Sequence, residues 1–266
     1  MGIQALLSDP IAYIKSVLLI LPAVLPALIL HECAHGYVAY RLGDPTAKMM
    51  GRLSLNPLRH LDPVGTLCMV FIGLGWAKPV PINPGYFRHP RRDDLLVSLA
   101  GITANLIMFL TGCVAMLIFV IVGLKAVPAD MWYRSGEYLV QMDKTLYRVA
   151  LSDVALYPAA MSEYLISPYL GSAWGVVYEI VANFVYINLG LAIFNLLPVP
   201  PLDGSHLFND LFLKKNLFVS RTVARYGMGV VMLLSLTGVL GKGIGFVTGA
   251  AMNGMDALLS RVFFGA

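Results

Sequence analysis

Two histidines and a glutamate stand together in the segment His31-Glu32-Cys33-Ala34-His35. On an α-helix, side chains four residues apart lie one above the other, so His31 and His35 would present two imidazole nitrogens to one metal ion. Glu32 would stand beside them as a general base. This pattern is typical of zinc hydrolases, in which the glutamate activates water. The competing interpretation is chance, because the same spacing occurs in unrelated chains.

The position of this segment favours the functional interpretation. It follows directly on an apolar stretch that runs from Ile11 to Leu30. Ionisable side chains at the end of an apolar helix are costly unless they are paired or bound to a metal. The sequence therefore predicts zinc hydrolysis inside a membrane.

A catalytic zinc ion normally has three protein ligands and one open position, so a third ligand is needed. We expect Asp203, which closes the segment Asn195-Leu196-Leu197-Pro198-Val199-Pro200-Pro201-Leu202-Asp203 and is followed by Gly204. The prolines open the backbone there, and non-helical backbone at membrane depth is tolerated where it lines a cavity. The alternative is that Asp203 starts a turn or caps the next helix.

Composition identifies the class of protein. The chain of 266 residues is 58% hydrophobic and only 13% charged, which is too apolar for a soluble domain. We expect an all-α polytopic membrane protein with a bundle of about four to six transmembrane helices. Four apolar runs have the length needed to cross a membrane, namely 11–40, 95–124, 174–197 and 226–240. The tail after Lys242 is a short fifth span, a re-entrant piece or an interfacial helix.

The connections between these spans carry smaller predicted elements. Short β-prone runs broken by proline and glycine predict a small membrane-associated β-hairpin region between Gly51 and Phe87. The connection from Lys125 to Ser172 has a helical apolar period that predicts an amphipathic helix, through Tyr138, Leu139, Met142, Leu146 and Val149. We expect one domain over 1–266, with a core at 11–204 and C-terminal helices at 205–266.

The charges of the loops indicate an orientation. The first and third loops together carry twelve basic residues and the second carries four, so the positive-inside rule places the first and third loops in the cytoplasm. His31 and Asp203 would then share the cytoplasmic leaflet. No basic patch interleaved with aromatic residues is present, so we expect no nucleic-acid partner. The sequence does not indicate an oligomeric state.

The remaining histidines and the cysteines are weaker candidates. His206 would face the metal if a helix begins at Asp203, although a supporting or merely exposed position is favoured. His60 and His89 are expected at the surface, and Asp62 in a turn. The three cysteines, Cys33, Cys68 and Cys113, lack metal-like or disulfide-like spacing and are interpreted as apolar fillers.

Taken together, these motifs resemble the site-2 protease family of intramembrane zinc metalloproteases. The resemblance rests on H-E-x-x-H at one transmembrane helix and N-x-x-P-x-x-x-x-D-G at a later one, and it extends from about Leu30 to Gly204. Gly101-Ile102-Thr103-Ala104-Asn105 looks like the G-x-x-x-N element of this family. The stretch Gly51-Arg52-Leu53-Ser54-Leu55-Asn56-Pro57 is similar to its membrane-associated strands.

The resemblance implies a zinc site and its chemistry. It implies that His31, His35 and Asp203 bind one zinc ion per chain and that Glu32 activates the water. Asn105 and Asn195 would lie near the site as polar support, together with Gly101 and Pro198 of the same motifs. Asn105 has a competing role in helix packing. Family members often carry PDZ or CBS domains, and neither is expected in this chain.

The function that follows is hydrolysis of peptide bonds in or near the transmembrane segments of membrane-protein substrates, within the lipid bilayer. One alternative is a non-catalytic metal-binding membrane protein of the same fold that acts through partner binding. Glu32 argues against it, because a structural metal site has no use for a general base. A metal transporter is disfavoured because it needs ionisable residues along several spans, and these spans have few.

Overall fold

The computed structural model describes residues 6–72, 75–126, 167–213 and 221–264. In this part of the chain the helices are, in order, α1 Pro10–Arg41, α2 Thr46–Met49, α3 Pro63–Ile72, α4 Pro90–Ala126, α5 Ser167–Leu170, α6 Ser172–Asn195, α7 Asp203–Phe208, α8 Arg221–Leu236 and α9 Val239–Phe264. A π-helical turn, Asn209–Leu213, directly follows α7. The prediction of a mostly helical protein is confirmed.

Three helices of the described residues are long and apolar enough to cross a membrane: α1, α4 and α6. They agree with the first three predicted spans to within about five residues at each end. The fourth predicted span, 226–240, overlaps α8, and the tail after Lys242 lies in α9. These two helices are bent by 77° between Arg225–Leu236 and Val239–Ala251 and count together as a broken span or a re-entrant loop. The described residues thus provide three spans, or four if the bent pair is one.

Small residues let the three long helices pack closely. Helix α1 begins at Pro10, where the Asp9 side chain accepts a hydrogen bond from the Ala12 amide at 3.0 Å. Along α1, Ala23, Ala27 and Ala39 are completely buried. Helices α1, α4 and α6 pack against one another, and short α7 packs against α4. Such small-residue contacts are typical of helices in a bilayer, where the hydrophobic effect does not drive association.

The predicted β-hairpin between Gly51 and Phe87 is not present in the described residues 51–72 and 75–87. These described residues contain one isolated antiparallel β-bridge, between Leu61 and Ala77, and no β-strand. Residues Pro63–Ile72 form α3 instead, and the Asp62 side chain accepts a hydrogen bond from the Gly65 amide at its start. Prolines in the segment lack the amide donors that a strand ladder needs, whereas Asp followed by Pro is a favourable helix start.

His60 is another correction, because it is buried rather than at the surface. Its Nε2 lies 2.6 Å from the carbonyl oxygen of Ser54. The Cys33 thiol of α1 lies 3.4 Å from the same oxygen. His60 therefore helps to fix the loop after α2 against the helix that carries Glu32. His89 is exposed, as expected.

The connection between the second and third spans lies largely outside the described residues. The predicted amphipathic helix with Tyr138 to Val149 falls there and stays a prediction.

Candidate metal centre

Helices α1 and α7 bring His31, His35 and Asp203 together. The Nε2 atoms of His31 and His35 are 3.0 Å apart, and Asp203 Oδ2 lies 3.3 Å from each of them. Both imidazoles are buried. The three side chains form a group that can hold a metal ion, and the two elements that supply them are separated by about 170 residues of sequence.

A chain of hydrogen bonds determines which ring nitrogen of His31 carries a proton. Asn188 Nδ2 donates to the carbonyl oxygen of Phe184 at 2.8 Å, which fixes the orientation of its amide because a carbonyl can only accept. Asn188 Oδ1 then accepts from Asn105 Nδ2 at 2.9 Å. Asn105 Oδ1 faces His31 Nδ1 at 2.5 Å, so that Nδ1 carries the proton. In the neutral form of the ring, Nε2 is therefore the bare nitrogen that faces the centre.

His35 is oriented in the same way by the backbone. Its Nδ1 lies 2.7 Å from the carbonyl oxygen of Val97 on α4 and must donate to it. With both rings neutral, two bare nitrogens and a carboxylate oxygen converge and repel one another unless a cation lies between them. Ligand atoms around a tetrahedral zinc ion with bonds of about 2.05 Å are about 3.3 Å apart, close to the observed 3.0 and 3.3 Å. The group fits a zinc ion.

Asp203 has the properties of an anionic ligand. Its Oδ2 is buried and has no hydrogen-bond partner among the described residues. Burial raises the pKa of this carboxyl, but the two neighbouring imidazoles together have a larger, opposite effect and lower the pKa to about 2. A positive charge beside Asp203, on an imidazole or on a metal ion, therefore keeps the carboxylate ionised at neutral pH, as metal binding requires.

Two glycines make the convergence possible. A Cβ atom built on Gly101 of α4 would lie 2.3 Å from His35 Nε2 and 2.6 Å from His31 Cε1. A Cβ atom on Gly204 of α7 would lie 2.3 Å from the carbonyl oxygen of Leu196. Only a hydrogen atom fits at either position. Gly101 lets α4 approach the two imidazoles, and Gly204 lets the chain after α6 fold back so that Asp203 reaches them.

Glu32 is held near the three converging side chains by backbone from a distant loop. Its Oε2 accepts a hydrogen bond from the Val80 amide at 2.8 Å. The loop is anchored by the buried Arg52, whose guanidinium donates to the carbonyl oxygens of Lys78 and Pro79 at 2.5 and 3.2 Å. Pro79 and Pro81 have no amide hydrogen, so the Val80 amide is the only donor in this short stretch of backbone.

A cavity of about 300 Å³ opens onto the group. Glu32 and the three converging side chains line it, as do Asn195, the weaker candidate His206 and a residue that the sequence did not indicate, Asp94. Asn195 Nδ2 donates to Leu191 of its own helix at 3.0 Å. Pro198 is exposed in the turn after α6 and does not line the cavity.

The prediction from sequence missed several residues of the site. Asn188 could have been found, because it is an amide in an apolar span and precedes Asn195 by two helical turns. Val80, Arg52 and Asp94 gave no local signal, since their partners are remote in sequence.

The chain also resembles known proteins. Residues 19–237 match the family model described as Peptidase family M50. The chain is 36% identical over 182 residues to "Putative zinc metalloprotease YwhC" of Bacillus subtilis (strain 168), covering 68% of this chain and 64% of the relative. It is 24% identical over 236 residues to "Putative zinc metalloprotease Rip2" of Mycolicibacterium smegmatis, covering 88% and 72%. The matched part of this chain covers less than two thirds of the length of the Bacillus protein. No solved structure gives a significant match.

Proposed function

The chain belongs to peptidase family M50, and from this premise we propose that it is an intramembrane zinc metalloprotease that cleaves peptide bonds in or near transmembrane segments. The observation that carries the proposal is the convergence of His31, His35 and Asp203 on one point, with Glu32 lining the same cavity. We propose one zinc ion per chain at that point. The site lies within a single domain that comprises the core 11–204 and the C-terminal helices.

Zinc held by these three side chains would supply Lewis acidity, lowering the pKa of water and polarising a carbonyl. Glu32 is the general base: its carboxylate accepts the proton of the attacking water and passes it to the leaving amine. The Val80 amide holds Oε2 at 2.8 Å, which leaves Oε1 available for the proton. A non-catalytic metal-binding protein is disfavoured, because such a site has no need for a free carboxylate beside its ligands.

Polar neighbours hold each imidazole in the tautomer that has its proton on Nδ1 and leaves Nε2 for the metal. The hydrogen-bond chain through Asn105 and Asn188 holds the His31 tautomer, and the Val97 carbonyl holds that of His35. Asn195, at the cavity wall, is available to contact substrate.

The substrate we propose is a membrane-spanning segment that has locally unwound. A carbonyl inside a helix is occupied by its own hydrogen bond, so the segment must open before water activated by Glu32 can reach the carbonyl carbon. His31 is the 22nd residue of α1, which places it about 30 Å along the helix from Pro10, near the far boundary of a hydrocarbon core. From the basic residues of the first and third loops we place this boundary in the cytoplasmic leaflet.

The test does not require the substrate to be known in advance. Membranes of cells that express the wild-type chain are compared with membranes that contain Glu32→Gln, and new protein termini are identified by mass spectrometry. We expect termini in or beside transmembrane segments with the wild type only, while both proteins retain zinc. The absence of Glu32-dependent termini from zinc-loaded wild type would refute the proposed protease.

A further inference from the structure

A second histidine and carboxylate pair lines the cavity of the metal centre. His206 lies on α7, three residues after Asp203, and its Nδ1 is 3.0 Å from Asp94 Oδ2 of α4. The His206 side chain is 43% exposed, whereas those of His31 and His35 are 8% and 10% exposed. Of the five histidines of the chain, these three line the cavity.

The two nitrogens of His206 differ in their surroundings. Nδ1 is engaged by the Asp94 carboxylate, and Nε2 has no hydrogen-bond partner within the described residues 6–72, 75–126, 167–213 and 221–264. The hydrogen bond with Asp94 raises the pKa of His206 above its usual value, against the opposing effect of burial. The ring can therefore carry a positive charge, with its Nε2–H free to donate to a molecule in the cavity.

Glu32 and His206 line the same cavity from two different helices. Glu32 is on α1, whereas His206 is on α7, which also supplies Asp203. Attack of water on an amide carbonyl places negative charge on the carbonyl oxygen, and a charged donor aimed at that oxygen stabilises the transition state more than the ground state. None of the interactions described so far supplies such a donor from a side chain.

We propose that His206 is a further catalytic residue that donates a hydrogen bond from Nε2 to the scissile carbonyl oxygen, and that Asp94 is the residue that positions its ring. This rests on the proposed protease function. In the reaction, a bond forms between the water oxygen and the carbonyl carbon, and the bond from that carbon to the amide nitrogen breaks. Glu32 carries the proton from water to the leaving amine, and His206 keeps its own proton throughout.

The kinetic test uses the purified full chain in detergent and a quenched fluorescent peptide that copies the segment cleaved fastest in the terminal-identification experiment. We expect His206→Leu to lower kcat by about 100- to 1,000-fold, as loss of one donor to a developing oxyanion does, with KM changed by less than about threefold. Asp94→Asn should lower kcat by a smaller factor, and Asp94→Glu should restore part of the loss. His89→Phe, at an exposed histidine outside the cavity lining, should behave as wild type.

Binding provides a second measurement that does not depend on turnover. A phosphinic analogue of the same peptide, with the phosphinic group at the cleaved bond, carries acidic oxygens in tetrahedral geometry, so its affinity should fall in His206→Leu by a factor similar to that for kcat/KM. Zinc content and zinc affinity should equal those of the wild type.

Wild-type kcat in His206→Leu would overturn the inference, as would an effect confined to KM or a loss of zinc. Each of these three outcomes can be interpreted only if the wild-type enzyme cleaves the peptide in a Glu32-dependent way. Failure of the wild type to cleave would instead refute the proposed function itself.

Discussion

Replacement of Gly101 by alanine is the smallest change that should dismantle the metal centre. The added Cβ atom would lie 2.3 Å from His35 Nε2 and 2.6 Å from His31 Cε1, and real Cβ contacts are essentially never below 3.0 Å. An ordinary contact begins near 3.4 Å, so the imidazole or helix α4 must retreat by about 1 Å. That is about half the length of a Zn–N bond.

The expected result is a loss of metal affinity without unfolding. Loss of a supporting hydrogen bond alone weakens metal binding by about 10- to 100-fold, and displacement of a ligand by about 1 Å should weaken it by at least about 100-fold. Zinc affinity would be measured by competition with a fluorescent chelator in detergent, and helix content by circular dichroism.

A matched control is available on α6. A Cβ atom on Gly190 would meet its nearest neighbour, Ile244 Cγ2, at 4.0 Å, so Gly190→Ala adds the same methyl group where there is room for it. Replacement of glycine by alanine inside a helix favours the helix by about 1 kcal/mol, and this effect is similar in both variants. Zinc affinity in Gly101→Ala within threefold of Gly190→Ala would refute the geometric argument.

Three further predictions follow from the site and the spans. Asn188→Leu should weaken zinc binding by about 10- to 100-fold in the same chelator assay, because Asn105 loses the acceptor that orients it toward His31; unchanged affinity would exclude this hydrogen-bond chain from metal binding. Removal of zinc with a chelator should lower the thermal unfolding midpoint of the wild type but not that of the His31→Ala, His35→Ala double variant, since zinc stabilises only a chain that binds it; equal shifts in the two proteins would argue against a zinc site at these residues. In a background without the three native cysteines, Lys48→Cys should react with an impermeant thiol reagent only after the membrane is opened, whereas Ser135→Cys should react from outside; the opposite labelling would invert the orientation.

The failures of the sequence interpretation have a common cause. Between Gly51 and Phe87, β-prone residues predicted a hairpin, but the prolines deprive the backbone of donors, and Asp62 with Pro63 starts α3 instead. His60 was expected at the surface by its polarity alone. It is buried, with its Nε2 2.6 Å from the carbonyl oxygen of Ser54, a backbone partner six residues away. In both cases the outcome depended on backbone partners that a local pattern does not reveal.

Asp203 illustrates both what a motif can predict and where it stops. The sequence analysis predicted this residue because a catalytic zinc ion needs a third protein ligand. In the structure its Oδ2 lies 3.3 Å from the Nε2 atoms of both imidazoles. Its role as a ligand stays a prediction until zinc binding is measured. The G-x-x-x-N motif indicated Gly101 near the site, but only the structure shows that its missing Cβ atom leaves room for the two imidazoles. No sequence pattern indicated that Asp94 would face His206.

The sequence by itself determined the features that depend on short-range periodicity and on the bilayer. About 20 apolar residues are needed to cross the hydrocarbon core, so length alone located the spans. The helical repeat put His31, Glu32 and His35 on neighbouring positions of one helix. Only the tertiary structure decided how α4, α6 and α7 meet that helix. Its hydrogen bonds determine which nitrogen of each imidazole carries a proton, through Asn105 and the Val97 carbonyl, and they fix Glu32 to the Val80 amide. Hydrogen bonds between segments that are distant in sequence form only once the helices have packed.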